Sequence, residues 1–281
     1  MKNNCWKDHF ISATELQSLN VEHVIIDCRF DLMTPQNGQH SYLQGHIPSA
    51  HYFDLNEDLS TAVGTHGGRH PFPNIELFVE KLRAVGVNSN TLIVAYDDQR
   101  FAFAARLWFL CRYIGHSNIK LLDGGFAAWK NAGFATDTSI PNKPKTGTIT
   151  ATPHADYLVD YATVKHLSES EHPHLILIDS REEPRYLGLQ EPIDPIAGHI
   201  PSALNLPWIT AVDAHGHFLS AEEQSRRWEK FTPHEKELIV YCGSGVTACV
   251  NLLSLAAMGV DTAKLYAGSW SDWCSYHLPN G

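Results

Sequence analysis

The sequence predicts an α/β protein of two tandem domains, each a mostly parallel sheet flanked by helices. Three observations carry that expectation: a long internal repeat, short β-branched runs alternating with helical patterns, and sufficient length. At 281 residues the chain can bury two separate cores of ordinary size.

The repeat is the firmest of the three. Gly45-His46-Ile47-Pro48-Ser49-Ala50 recurs as Gly198-His199-Ile200-Pro201-Ser202-Ala203. Upstream of each copy an apolar run ends in an acid and an arginine, Asp27-Cys28-Arg29 and Asp179-Ser180-Arg181. Downstream, Leu92-Ile93-Val94-Ala95-Tyr96-Asp97 answers Glu237-Leu238-Ile239-Val240-Tyr241-Cys242, and Gly124 to Trp129 answers Gly268 to Trp273. Four matches in one order indicate duplication of a whole domain. Their period of about 150 residues excludes a solenoid, whose units run to roughly 20–50 residues.

Within each half the apolar runs are short and β-branched, as expected of strands buried on both faces. Ser12-Ala13-Thr14-Glu15 has capping-box form and opens a helix. Ile75 to Val85 carries Leu77, Phe78, Leu82 and Val85 at helical spacing, with Gly86 as a stop. Phe101 to Tyr113 and Val246 to Met258 read as equivalent helices, ended by Gly115 and Gly259. Strands alternating with helices give a parallel sheet. The prolyl, polar stretch 139–150 reads as a linker, leaving an N-terminal domain over 1–138 and a C-terminal domain over 151–281.

Composition describes an ordinary water-facing protein, 43% hydrophobic and 19% charged. A formal charge of −10 argues against nucleic acid as a partner. The most apolar stretch, Phe101 to Cys111, is short and contains Arg106, so no membrane span is expected. The start, Met1-Lys2-Asn3-Asn4-Cys5-Trp6, has no basic-then-apolar leader pattern. The cysteines Cys5, Cys28, Cys111, Cys242, Cys249 and Cys274 show no metal-ligand spacing, so no metal or other cofactor is expected. They read as reduced thiols of a cytoplasmic protein.

Cys242 is the candidate nucleophile. It ends the run Leu238-Ile239-Val240-Tyr241 and opens the loop Cys-Gly-Ser-Gly-Val-Thr, which leads into an apolar helix. In such a turn the backbone N–H groups and the helix N-terminus favour an anionic sulfur. Gly243 and Gly245 allow curvature that a Cβ would obstruct. No charged side chain lies in the loop, so stabilisation of an anion there comes from the backbone. The alternative is a buried structural cysteine at a strand end. Ligands of α/β sheets bind at the carboxyl ends of strands, where Asp97 and Cys242 both lie.

With these motifs in place, the chain resembles the tandem-domain rhodanese and 3-mercaptopyruvate sulfurtransferase family. The resemblance spans nearly the whole chain: both GHIP motifs, the Cys242 loop and the closing Leu265-Tyr266-Ala267-Gly268-Ser269-Trp270. It implies two rhodanese-like domains, the first inactive and the second catalytic. Asp97 in place of the cysteine agrees, because a carboxylate cannot carry a transferable sulfur. The resemblance further implies that Cys242 takes a sulfur as a persulfide, cradled by the amides of Gly243, Gly245, Val246 and Thr247. Arg185 matches the family arginine that binds the donor's anionic group, and its forked donors suit a carboxylate or thiosulfonate. A surface ion pair with Glu182 or Glu183 is the plainer alternative for it. Arg181 recurs as Arg29 in the inactive half, which favours a structural role.

The uncharged loop resembles that of the mercaptopyruvate enzymes, which implies 3-mercaptopyruvate as the donor, with Ser244 available to polarise a ketone or relay a proton. Thiosulfate is the alternative, because Ile193 stands where a second arginine would fall. His70 matches the histidine of the family's relay, whereas Asn56 stands at the aspartate position. The partners implied are a small anionic sulfur donor and a cyanide, thiol or thioredoxin-like acceptor. A related phosphatase would need an arginine closing a longer loop, and Ala248 stands there instead. A non-catalytic binding module of the same fold is the remote alternative.

Overall fold

Each half of the repeat folds around a five-stranded parallel sheet. The structure, a computed structural model, describes residues 6–169, 172–231 and 235–278. The first sheet contains β1 (Phe10–Ile11), β2 (His23–Asp27), β3 (His51–Tyr52), β4 (Leu92–Tyr96) and β5 (Ile119–Leu122), in the order β1-β5-β4-β2-β3. The second contains β6 (Leu158–Val159), β7 (Leu175–Asp179), β8 (Leu204–Asn205), β9 (Glu237–Tyr241) and β10 (Lys264–Tyr266), in the order β6-β10-β9-β7-β8. Every strand pair in both is parallel. The α/β expectation therefore holds in both halves, and the two sheets share one strand order.

The repeated residues form one repeated device. In the first sheet Arg29 Nη2 donates to Asp27 Oδ2 at 2.6 Å and to the Gly45 carbonyl at 2.7 Å. Tyr96 donates to the same carboxylate and accepts from the Ile47 N–H at 3.2 Å. In the second sheet Arg181 Nη2 reaches Asp179 at 2.7 Å and the Gly198 carbonyl at 2.6 Å, while Ile200 N–H donates to Tyr241 at 3.1 Å. Both arginines lie over an aromatic ring, Phe126 and Trp270 respectively. The buried pair thus ties strand end to GHIP turn, the structural role expected of Arg181. The histidine Nδ1 of each GHIP bonds a carbonyl at 2.7 Å, Tyr42 for His46 and Tyr186 for His199.

Helix positions differ from the sequence reading at particular residues. The Ser12 capping box is present, and its helix runs Ala13–Gln17. The helix Ile75–Ala84 is capped by Asn74, but Leu77 is 64% exposed and lies off the buried face formed by Phe78, Val79 and Leu82. The helix after β4 starts at Ala104, three residues later than expected, because residues 101–103 wrap the Asp97 carboxylate.

Two short segments join the opposite half of the chain. Residues 62–72 pack in the second unit, with the described residues of the C-terminal half, whereas 212–218 pack in the first. Residues 139–150 carry no helix, and Gly147 and Ile149 bond the first unit at Arg83 and Val87. Among the described residues no helix is long and apolar enough to cross a membrane.

Candidate active site

Cys242 follows β9, a central strand, at its carboxyl end, and is 1% exposed. Its N–H donates to Ser269 Oγ at 3.1 Å, and its carbonyl accepts from Trp270 N at 3.0 Å. The Gly243 carbonyl accepts from Ser271 N at 2.9 Å. The loop is thereby fixed to the start of the helix Ser269–Ser275. Gly245 has φ +73°, and a Cβ there would meet the Ala267 carbonyl oxygen at 2.1 Å, so no other residue can replace it without moving the backbone. Val246 and Thr247 complete the turn, with Thr247 as N-cap of the helix Ala248–Ala257.

The loop at the corresponding place in the first unit holds an anion of its own. Asp97 Oδ1 accepts from the N–H groups of Gln99 at 2.9 Å and Phe101 at 3.0 Å. Its Oδ2 accepts from Phe103 and Ala104, both at 2.9 Å. Four amides therefore converge on one buried anion. Burial pushes the Asp97 carboxyl upward against the pull of those amides, and the net direction is upward. Here the anion is the side chain itself.

A strap over residues 66–70 brings two further side chains to the Cys242 loop within the second unit. Gly67 N–H donates to Asp272 at 2.6 Å, Arg69 N–H to Ser271 Oγ at 3.1 Å, and His66 Nδ1 bonds Ser275 Oγ at 2.7 Å. His66 also stacks on Tyr276, which in turn stacks on Tyr161. So fastened, the strap sets His70 Nδ1 at 2.8 Å from Ser244 Oγ, with both residues buried. The two candidates nominated from sequence thus meet directly. Asn56, the residue at the expected aspartate position, is exposed and belongs to the first unit.

Arg185 lies on the short helix Glu183–Tyr186. It pairs with Glu191 at 2.7 Å and Asp194 at 3.1 Å, instead of the neighbouring Glu182 or Glu183. Asp194 also pairs with Arg69, and Arg181 reaches Glu191 at 3.1 Å. A Cβ on Gly243 would lie 3.1 Å from Arg69 Nη2 and 3.5 Å from Arg185 Nη1. Two guanidinium groups therefore converge on the residue after Cys242. Arg69 and Asp194 were not nominated from sequence, although they adjoin His70 and Ile193. Ile193 itself is 41% exposed. Arg69 supplies a second arginine from a different segment.

The other described cysteines are buried thiols. Burial pushes the thiols of Cys28 and Cys111 well up, and that of Cys274 to about 11. Cys249 Sγ donates to the Gly245 carbonyl at 3.4 Å. Cys5 lies outside the described residues. No cluster of His, Cys, Asp and Glu suited to a metal ion occurs among the described residues.

A family model described as the rhodanese-like domain matches residues 12–132 and again 160–276. The chain belongs to the rhodanese-like family. A protein of Pseudomonas aeruginosa named "Probable 3-mercaptopyruvate sulfurtransferase" is 42% identical over 254 residues, covering 89% of this chain and 88% of that one. The thiosulfate sulfurtransferase of Bos taurus is 30% identical over 259 residues, covering 89% and 84%. A crystal structure of SseA from Escherichia coli, described as showing the rhodanese fold and catalytic mechanism of 3-mercaptopyruvate sulfotransferases, matches with a TM-score of 0.81. It is 32% identical and covers 93% of this chain and 98% of that one. Rhodanese-like relatives named for either donor therefore resemble this chain over most of its length.

Proposed function

We propose that this chain is a sulfurtransferase that moves sulfur from 3-mercaptopyruvate to a thiophilic acceptor through a persulfide on Cys242. The observation that carries the choice of donor is the His70–Ser244 contact beside a loop without charged side chains. The Cys242 thiolate attacks the donor sulfur. The S–S bond forms as the C–S bond breaks, and its electron pair passes to the pyruvate enolate. That enolate needs a proton, and Ser244 hydrogen-bonded to His70 is positioned to relay one. Arg185 and Arg69 bind the donor carboxylate. The amides of Gly243, Gly245, Val246 and Thr247 hold the anionic persulfide, as four amides hold Asp97 in the first unit.

A cyanide, thiol or thioredoxin-like acceptor then attacks the outer sulfur and releases the Cys242 thiolate, so donor and acceptor react in separate half-reactions. The first unit, with Asp97, carries no sulfur in this reading. No step calls for a metal or organic cofactor, and the reduced thiols agree with a cytoplasmic setting.

Thiosulfate is the second reading: Ile193 stands where the family's second arginine would fall, and the leaving group of thiosulfate, sulfite, departs without a proton. Steady-state rates with 3-mercaptopyruvate and with thiosulfate, each with cyanide, decide between the two. Faster turnover of 3-mercaptopyruvate at equal concentration is expected, and faster turnover of thiosulfate would reverse the assignment.

A further inference from the structure

Asp194 divides its carboxylate between the two donor-facing arginines, one oxygen to each. Oδ1 takes Arg69 Nη1, and Oδ2 takes Arg185 Nη2 at 3.1 Å. Glu191 takes the remaining edge of Arg185, through Nε at 3.2 Å and Nη2 at 2.7 Å, and also Arg181 at 3.1 Å. The side chains of Asp194 and Glu191 are 2% and 3% exposed, so water screens them little. Asp194 is held in turn by its own N–H, which donates to Glu191 at 3.0 Å. Arg69 Nη2 and Arg185 Nη1 make no hydrogen bond among the described residues, and these are the atoms nearest Gly243.

The cluster is thus three arginines (Arg69, Arg181, Arg185) against three carboxylates (Asp179, Glu191, Asp194). It presents two free guanidinium edges without surplus positive charge. Such a site offers hydrogen bonds to one carboxylate and little Coulomb attraction for a second negative charge.

We propose that Asp194 is a specificity-determining residue that sets the donor site to accept a monoanion and to disfavour a dianion. This rests on the sulfurtransferase reading above and adds to it a named origin of donor choice. Removing the Asp194 charge raises the local potential, and a dianion gains about twice what a monoanion gains from that change. Asp194 acts through the arginines, so its effect belongs in KM and not in kcat.

The test compares wild type, Asp194→Asn and Asp194→Glu with 3-mercaptopyruvate and thiosulfate. Intact mass would establish in parallel whether Cys242 takes up sulfur. For Asp194→Asn the ratio of kcat/KM for thiosulfate to that for mercaptopyruvate should rise about tenfold, carried by KM, a change equivalent to about 1.4 kcal/mol. Asp194→Glu, which keeps the charge, should return the ratio toward wild type. In a Cys242→Ser background, sulfate should bind more tightly after Asp194→Asn by a larger factor than pyruvate does. That binding arm stands even if the arginines shift enough to slow turnover. An unchanged ratio with persulfide still forming would overturn the role of Asp194 alone. No persulfide with either donor in wild type would overturn the underlying reading as well.

Discussion

His70 Nδ1 lies 2.8 Å from Ser244 Oγ, joining a side chain of the first repeat to the loop that Cys242 opens in the second. If this pair delivers a proton to the leaving enolate, its value depends on the donor. Ser244→Ala and His70→Gln should each lower kcat for 3-mercaptopyruvate by about a hundredfold, within the range for general acid catalysis. Thiosulfate turnover should change by less than about threefold, because its leaving group takes no proton. Equal losses with both donors would show that the pair only shapes the loop.

Arg185 and Arg69 should behave alike toward anionic donors. Arg185→Ala and Arg69→Ala should each raise KM by about ten- to a hundredfold, the equivalent of a charge-assisted contact of about 1.5–3 kcal/mol. Melting temperature should stay near wild type for Arg69→Ala, whose side chain is 31% exposed, and fall for Arg185→Ala, which leaves the buried Glu191 and Asp194 short of a partner. A change in kcat with unaltered KM would place these arginines elsewhere in the cycle.

The two loop glycines should fail in different ways. Gly243→Ala puts a methyl group 3.1 to 3.6 Å from the two guanidiniums and should weaken donor binding with little loss of stability. Gly245→Ala forces a side chain onto φ +73° and against the Ala267 carbonyl. It should lower stability by about 2 kcal/mol or more and abolish transfer. Thermal melts beside donor titrations separate the two outcomes.

Asp97 is expected to matter to stability and not to chemistry. Asp97→Ala strips four amides of their acceptor, three of them buried, and should destabilise the protein by about 3 kcal/mol. The purified variant should keep its kcat at a temperature where it remains folded. Lost turnover in the folded variant would contradict an inactive first unit.

The repeat was legible because its members form one physical unit. Asp, Arg, GHIP and the strand-end tyrosine recur together since each bonds the next, as Asp179, Arg181, Gly198, Ile200 and Tyr241 do. Cys242, its glycines and Ser244 could be read because strand, turn and helix lie consecutively. Arg69 was hidden because its partner Asp194 lies 125 positions away, across the duplication. Glu191 and Asp194 show why local acids mislead: Arg185 bypasses Glu182 and Glu183 for acids that the following loop folds back beside it. Leu77 matched the helical spacing, yet spacing alone does not say which flank of an amphipathic stripe meets the core.

The central claim is that one sulfur is carried on Cys242, and mass spectrometry after donor treatment tests it most directly. Protein treated with 3-mercaptopyruvate should gain a single sulfur, mapped to the peptide containing Cys242, and lose it on adding cyanide. Cys242→Ser should gain none, while variants at Cys5, Cys28, Cys111, Cys249 and Cys274 should still be loaded. A persulfide mapped to any of those five, or none on wild-type protein with either donor, would contradict the account.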